Sequence, residues 1–337
     1  MSALQEVVTE APVIDAVPKR AMTLGYGTSL AVLALLVVAP LFVKNFIIFQ
    51  MTMLLIYALA VMALNILTGS SGQFSLGQSA FYAVGAYSSA ILMEHANMNY
   101  ALTLPISGII CFAFGYLFGK PALRLSGIYL ALATFALATA MPQLLKLNVF
   151  EPWTGGVQGL VVDKPDAPFG LPMSQDMWLY YFTLAVSVAI YIFSVNLLKS
   201  RSGRAFMAIR DNEIAASAMG IDVARYKTLA FGVSAGITGV AGALGAIAIQ
   251  FVAPDSFNVF LSISFLVGIV IGGLASISGA LYGALFIQFV PNIADQISKA
   301  APWAIYGVFL VAFMYMMPTG VSGAVRAVWL WARRRAG

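Results

Sequence analysis

Apolar stretches of about 20 residues recur along most of this chain and are separated by short polar segments. Only 9% of the residues are charged, whereas 61% are hydrophobic. A water-soluble protein of this size has no interior large enough to bury so much apolar surface. An α-helix needs about 20 apolar residues to cross a bilayer, and a helix satisfies its own backbone hydrogen bonds there. The sequence therefore predicts an all-α polytopic membrane protein.

About ten transmembrane helices can be drawn. They cover residues 24–43, 46–68, 74–93, 101–119, 126–147, 178–198, 228–251, 259–274, 279–297 and 302–318. The third and ninth are the least hydrophobic, because Gly, Ser and Gln dilute them. The predicted domains are an N-terminal tail, a transmembrane domain and a basic C-terminal tail, at residues 1–22, 23–319 and 320–337.

The basic residues predict which side of the membrane each loop occupies, because cytoplasmic loops carry an excess of Lys and Arg. With ten helices and a cytoplasmic N-terminus, 14 of the 18 basic residues fall inside and four fall outside. Both termini are then cytoplasmic. Five helices precede the outer loop 148–177 and five follow it, which allows two inverted halves. The outer loop is a candidate lid or docking surface, and an ordered loop without function is the alternative.

The cytoplasmic loop 199–227 holds six of the 18 basic residues and is predicted to form two short helices. Ser202 is positioned to cap the first helix, and Asp211 or Asn212 the second. Gly220 suits the end of the second helix, which is short, rich in Ala and able to enter a groove on a partner. The alternative is a solvated loop that only sets topology. Candidate coupling residues are Arg204, Arg210, Asp211, Asn212, Glu213, Ala215, Ala216 and Gly220.

Two glycine-rich membrane segments, 68–87 and 268–286, also carry polar side chains. Glycines can interrupt a helix, and interrupted backbone is tolerated in a membrane where it is buried or lines a cavity. Close helix packing is the alternative explanation for so many glycines. Candidate residues of a solute pathway are Gln73, Ser75, Gln78, Ser79, Tyr82, Ser276 and Ser278.

The sequence shows no constellation for catalysis. No charged relay lies in the middle of any predicted span, although ion-coupled carriers usually need one. A single Cys and a single His cannot form a disulfide or a clustered metal site. Gly119-Lys120 is followed by Pro121 and lacks the rest of a phosphate-binding loop. We therefore expect a non-catalytic chain without a cofactor of its own, and an intramembrane enzyme has little support.

Several motifs together resemble the permease subunits of bacterial ABC importers for branched-chain amino acids and related small solutes. They are LNILTGSSGQFSLGQSAFYAVGAY, RLSGIYLALATFALA, TGGVQGL, RSGRAFMAIRDNEIAASAMGIDVARYKTLAFGVSA, GGLASISGALYGAL and MPTGVSG, within residues 50–325.

The resemblance implies an inner-membrane heterodimer with a second, homologous permease, surrounded by lipid and without nucleic acid. It further implies two cytoplasmic ATPases that bind ATP and Mg, and a periplasmic solute-binding protein. The loop 199–227 would couple the ATPases to transport. Glu213 is displaced by one residue from the Glu-Ala-Ala-x-x-x-Gly motif, and Gln78 stands where branched-chain members commonly have His. Similar families import urea, amides or aromatic acids, so these solutes remain open. A self-contained secondary carrier or channel is the alternative.

Overall fold

The structure is a computed structural model that describes residues 33–122, 125, 127–168, 173–297, 302–317 and 320–325. The predicted N-terminal tail and most of the basic C-terminal tail lie outside these residues. The chain divides into two compact units, residues 1–44 and 45–337. The described part of the first unit contains a short apolar helix, α1 (Leu33–Phe42).

The second unit is built from long helices joined by short connections. The helices are α2 (Asn45–Leu64), α3 (Gln78–Glu94), α4 (Tyr100–Ala122), α5 (Ile128–Leu145), α6 (Glu151–Thr154), α7 (Gln175–Lys199), α8 (Arg201–Asp211), α9 (Glu213–Ala218), α10 (Val223–Ile249), α11 (Val259–Gly272), α12 (Gly279–Ile297) and α13 (Pro302–Met316). A π-helix (Asn65–Ser70) continues α2, and a 3-10 helix (Pro254–Phe257) precedes α11. Two short strands, β1 (Leu160–Val161) and β2 (Phe251–Val252), pair antiparallel.

A described helix overlaps each of the ten predicted spans, and the all-α polytopic class is confirmed. In the described part of the chain, seven helices are long and apolar enough to cross a membrane by length and composition. The predicted spans 74–93 and 279–297 are not among these seven, and the predicted span 24–43 is described only from residue 33 onward. The number ten therefore stays a prediction.

The centre of the second unit is α10, which packs against α2, α3 and α4. Small side chains allow this close packing. An added Cβ at Gly85 of α3 would lie 2.1 Å from the carbonyl oxygen of Gly239 in α10. Cys111 of α4 is fully buried against the same part of α10, as expected for a small core residue. Because α3 is enclosed by other helices, polar side chains can point from it into the protein.

Contacts between connecting segments group the helix ends into two sets. At one end, Lys146 after α5 forms an ion pair with Asp255 before α11, with 2.6 Å between Nζ and Oδ1. At the same end, β1 pairs with β2, and the indole of Trp178 donates to the hydroxyl of Tyr100 over 3.0 Å. The opposite end holds α8, α9, the α2–α3 connection and the α11–α12 connection. Successive long helices from α2 to α11 thus run alternately between the two ends.

The predicted outer loop is an ordered segment in its described part. It begins with α6 and β1, and β1 ties it to the end of α10 through β2. Lys164 and Asp176 then form an ion pair at 2.5 Å, which joins the loop to the first turn of α7. Its role as a lid or docking surface stays a prediction.

Candidate solute pathway and coupling site

The first glycine-rich segment is interrupted, as its sequence indicated. The π-helix ends at Ser70, and residues 72–77 are not helical before α3 begins. Gly72 has a φ of 72°, a conformation that favours glycine. The exposed backbone of this break is satisfied locally, because the hydroxyl of Thr68 donates to the carbonyl of Gln73 over 3.1 Å. The side chains of Gln73 and Ser75 are buried here.

Gln78 and Ser79 begin α3 and are fully buried against neighbouring helices. The Nε2 group of Gln78 faces the hydroxyls of Ser234, at 3.2 Å, and Thr238 in α10. Both hydroxyls donate their own hydrogens to backbone carbonyls, which requires the amide nitrogen of Gln78 to point toward them. Its Oε1 atom is buried without a hydrogen-bond partner among the described residues. Ser79 is bonded to Ser262 of α11, and its Oγ accepts over 2.8 Å.

Tyr82 lies one turn beyond Gln78 on the same face of α3. Its ring packs against Phe257 and Phe265, with centroids 6.0 and 5.8 Å away. An added Cβ at Gly245 of α10 would lie against the Tyr82 hydroxyl. Gln78, Ser79 and Tyr82 therefore form one buried cluster between α3, α10 and α11.

The second glycine-rich segment is interrupted too, between α11 and α12. Gly273 and Ala275 have positive φ values of 107° and 61°. Ser276 is partly buried and its Oγ accepts from the backbone N–H of Gly279 over 3.2 Å. Ser278 is exposed. The two serines thus lie at the end that holds α8 and α9, away from the cluster around Gln78.

A buried asparagine that sequence reasoning did not select connects the π-helix before the first break to the second break. The Asn65 amide donates to the carbonyls of Gly273 and Ser276, over 3.3 and 2.8 Å, and its Oδ1 accepts from the N–H of Ala275 over 2.8 Å. Both polar ends of the side chain are therefore satisfied by the α11–α12 connection. The available signal was an Asn within the apolar span 46–68, where an unpaired amide would be costly.

The predicted pair of short helices is present as α8 and α9. Ser200 caps α8, with its Oγ accepting from Gly203 N–H, so the expectation that Ser202 is the cap was wrong. Ser202 already lies within the helix, because Lys199 and Ser200 leave α7 directly into α8. Asn212 caps α9 by accepting from Ala215 N–H over 2.9 Å, as one of the two predicted candidates.

The end of α9 also follows the sequence. Gly220 has a φ of 82°, and its N–H donates to Ser217 while Ile221 N–H donates to Ala216. This pair of bonds is the Schellman arrangement, which needs a residue in the left-handed region.

The coupling helices contact the first helix break directly. Arg210 Nη1 donates to the carbonyl of Gly69 in the π-helix over 3.1 Å. The Gln73 amide in the break donates to the carbonyl of Lys227 over 3.2 Å. Residues predicted for the pathway and for coupling are therefore brought together at this end. Arg204 instead points to the carbonyl of Lys199 and remains exposed.

Two ion pairs hold four of the charged residues of this region. Arg210 pairs with Asp211, with 2.8 Å between Nη2 and Oδ1. Lys227, in the first turns of α10, pairs with Glu213 of α9 over 2.6 Å. The outer side of α9 is apolar, since Ile214 and Met219 are 83% and 84% exposed. Ala216 is only 4% exposed and faces the chain's own helices, whereas Ala215 is exposed.

Polytopic helices, broken membrane segments and a pair of short, charged helices at one end are typical of a transport permease. The chain matches the family "Branched-chain amino acid transport system / permease component" over residues 46–318, and it belongs to this family of ABC transporter permeases. It is a multi-pass inner-membrane protein.

Three relatives illustrate the similarity. The permease protein LivM of the high-affinity branched-chain amino acid transport system is 31% identical in Salmonella typhimurium, over 88% of this chain and 75% of the relative. LivM of Escherichia coli K12 is also 31% identical, over 88% and 74%. The probable branched-chain amino acid permease LivH of Methanocaldococcus jannaschii is 24% identical, over 74% and 82%. No solved structure matches the chain.

Proposed function

We propose that this chain is a translocation subunit of an ABC importer that moves branched-chain amino acids into the cell. It pairs with a second, homologous permease and receives its solute from a periplasmic binding protein. Two cytoplasmic ATPases bind ATP and Mg and supply the energy, and this chain has no catalytic group or cofactor of its own. The family and the names of the LivM and LivH relatives support the proposal.

The contact between Arg210 and the π-helix is the observation that carries the coupling mechanism. An ATPase that grips α9 would move α8 and α9 when it binds ATP. The Arg210–Gly69 hydrogen bond, at 3.1 Å, transmits such a movement to the break between α2 and α3. Phe206 anchors α8 to α10 from the other side, with its ring centroid 6.3 Å from that of Tyr226. A displacement of α8 therefore reaches α10, which lines the buried polar cluster, and the π-helix that precedes the first break.

The exposed apolar side chains of α9 are the surface that we assign to the ATPase. Ile214 and Met219 are almost fully exposed and lie on a helix too polar and too short to enter lipid. The buried position of Ala216 removes it from this surface, and its role is to seat α9 on the chain. The shape and orientation of α9 depend on Asn212, Glu213, Ala215 and Gly220.

The solute path that we propose passes the cluster around Gln78. Gln78, Ser79 and Tyr82 present amide and hydroxyl groups at the junction of α3, α10 and α11. Movement of the first break, which includes Gln73 and Ser75, would open this junction because α3 begins directly after the break. Ser276 and Ser278 would then lie at the cytoplasmic mouth.

We propose ten crossings with both termini in the cytoplasm, and the charge at one set of helix ends supports this orientation. The end that holds α8 and α9 also holds Lys199, Arg201, Arg204, Arg210 and Lys227. We therefore assign this end to the cytoplasm. The division into two inverted halves of five helices stays a prediction.

Reconstitution tests the function. The assembled complex in proteoliposomes, with binding protein outside and ATP inside, should take up radiolabelled leucine, isoleucine and valine. Urea, acetamide and phenylalanine should be imported poorly. The chain alone should not transport any of these solutes. Uptake by the isolated chain would establish the self-contained carrier instead. Preferential uptake of urea, amides or aromatic acids would show that the importer carries one of these solutes and not branched-chain amino acids.

The coupling role has its own variants. Ile214→Ser with Met219→Ser should lower copurification of the ATPases and reduce uptake by roughly tenfold or more, since buried apolar anchors dominate interfaces. Phe42→Ser, at an exposed apolar position in the other unit, is the matched control and should leave ATPase binding unchanged. Normal ATPase binding by the double variant would exclude α9 as the docking helix.

A further inference from the structure

A mixed polar and apolar cavity lies between the first helix break and the coupling helices. Its volume is about 260 Å³. About 10–15 Å³ on the same measure is enough to hold one water molecule, so the cavity has room for a solute with several heavy atoms. The break forms one wall through Ser71 to Phe74, and α8, α9 and Lys227 form the opposite wall.

The charges that line the cavity balance. One wall carries two cations, Arg210 and Lys227, and two anions, Asp211 and Glu213, arranged as two ion pairs of 2.8 and 2.6 Å. A single net charge on a ligand would leave one member of a pair without its partner. A zwitterion can insert between the members of a pair and give each a new partner. Such an exchange costs little, because partly exposed ion pairs contribute little to stability.

The rest of the lining suits an aliphatic group. Phe74 and Leu125 are 54% and 36% exposed and offer apolar surface to the cavity, and the buried residues Leu130 and Ile209 also line it. Ligand sites commonly combine apolar walls with a few polar groups that fix orientation. The cavity thus pairs a zwitterion-binding wall with an aliphatic wall.

We propose that this cavity is a weak, cytoplasmic-side binding site for a zwitterionic aliphatic α-amino acid. The carboxylate of the amino acid pairs with Arg210 or Lys227, and its ammonium group pairs with Asp211 or Glu213. This assignment rests on the proposed function only for placing the cavity on the cytoplasmic side. Because Arg210 also holds Gly69, amino acid accumulated in the cytoplasm would bind beside the coupling contact and slow further import.

Thiol protection in the assembled complex tests the site. Leu125→Cys, in a Cys111→Ala background, reports on the cavity, and Ser217→Cys on the exposed side of α9 is the matched control. The complex is held in nanodiscs without ATP or binding protein and labelled with a maleimide while L-leucine is titrated. Protection should grow as 1 + [L]/Kd, which is about tenfold at about ten times the Kd. Ser217→Cys should show none.

Analogues and charge variants define the ligand. 4-Methylpentanoate and 3-methylbutylamine, which each lack one charged group of leucine, should protect far less, and glycine should need a higher concentration. Lys227→Met should abolish protection. Lys227→Arg should retain most of it, which would show that the positive charge is required and that a substitution at this position does not by itself disrupt the fold. Equal protection by either single-charge analogue, or full protection in Lys227→Met, would overturn the assignment.

The same preparation separates this site from the proposed function. Import of leucine in proteoliposomes without protection of Leu125→Cys would reject the cavity and leave the function intact. Failure to import leucine would reject the proposed solute. Protection by leucine in that case would still support the site, because it depends only on the zwitterionic head and the aliphatic wall.

Discussion

At the residue scale, Asn65 joins the π-helix before the first break to the second break through three hydrogen bonds. Asn65→Ala would leave the Ala275 N–H and two carbonyls without this partner in a partly buried setting. Each lost bond of this kind costs on the order of 1–3 kcal/mol, so we expect a clear fall in the thermal stability of the purified protein. Thr52→Val is the control, because Thr52 bonds only to the Ile48 carbonyl within α2. Equal stability of the two variants would mean that the breaks are held by other contacts.

Gln78 tests the pathway at the same scale. Gln78→Leu removes the amide that faces Ser234 and Thr238 and the Oε1 atom that has no described partner. We expect lower maximal uptake with little change in the concentration for half-maximal uptake, because a separate binding protein sets the affinity. Thr183→Val is the control. It removes a buried hydroxyl group on α7 and should leave uptake unchanged. Unaltered uptake in Gln78→Leu would mean that Gln78 only contributes to helix packing. A large loss of apparent affinity would mean that this chain selects the solute.

At the element scale, the crossing of α3 and α10 depends on glycine. An added Cβ at Gly242 would lie 2.0 Å from the carbonyl oxygen of Tyr82, so Gly242→Ala must push the helices apart. Overpacking of this kind costs about 1–3 kcal/mol, and the melting temperature should fall. Gly307→Ala in α13 is the matched control, because nothing lies within 4 Å of its added Cβ. There the better helix propensity of Ala should leave stability unchanged or slightly higher.

The elements also show what a sequence can predict about a site. The breaks were predictable, because glycines beside polar residues are local signals. The capping role of Asn212 and the left-handed Gly220 were predictable for the same reason. The role of Asn65 was not, because its partners lie 208 to 211 positions along the chain. The inward orientation of Ala216 was likewise hidden, since it depends on how α9 rests on the remainder of the protein.

At the scale of the whole molecule, the charge pattern predicts the side of each connection. In a Cys111→Ala variant, Ser174→Cys should react with an impermeant thiol reagent from the periplasm. Ser217→Cys should react only after the membrane is opened, because α9 lies at the basic end. The reverse result would contradict the orientation and remove α9 from the cytoplasm.

The sequence by itself determined the class of protein, the helix positions and the family, because these depend on apolar length, charge bias and local motifs. Only the tertiary structure decided which polar residues meet. It placed Gln78, Ser79 and Tyr82 in one buried cluster and left Ser276 and Ser278 at the end near α8. It also brought Arg210 to Gly69 across 141 positions of sequence. Such pairings follow from the packing of α10 among its neighbours, which depends on the shapes of many side chains together and has no local signature.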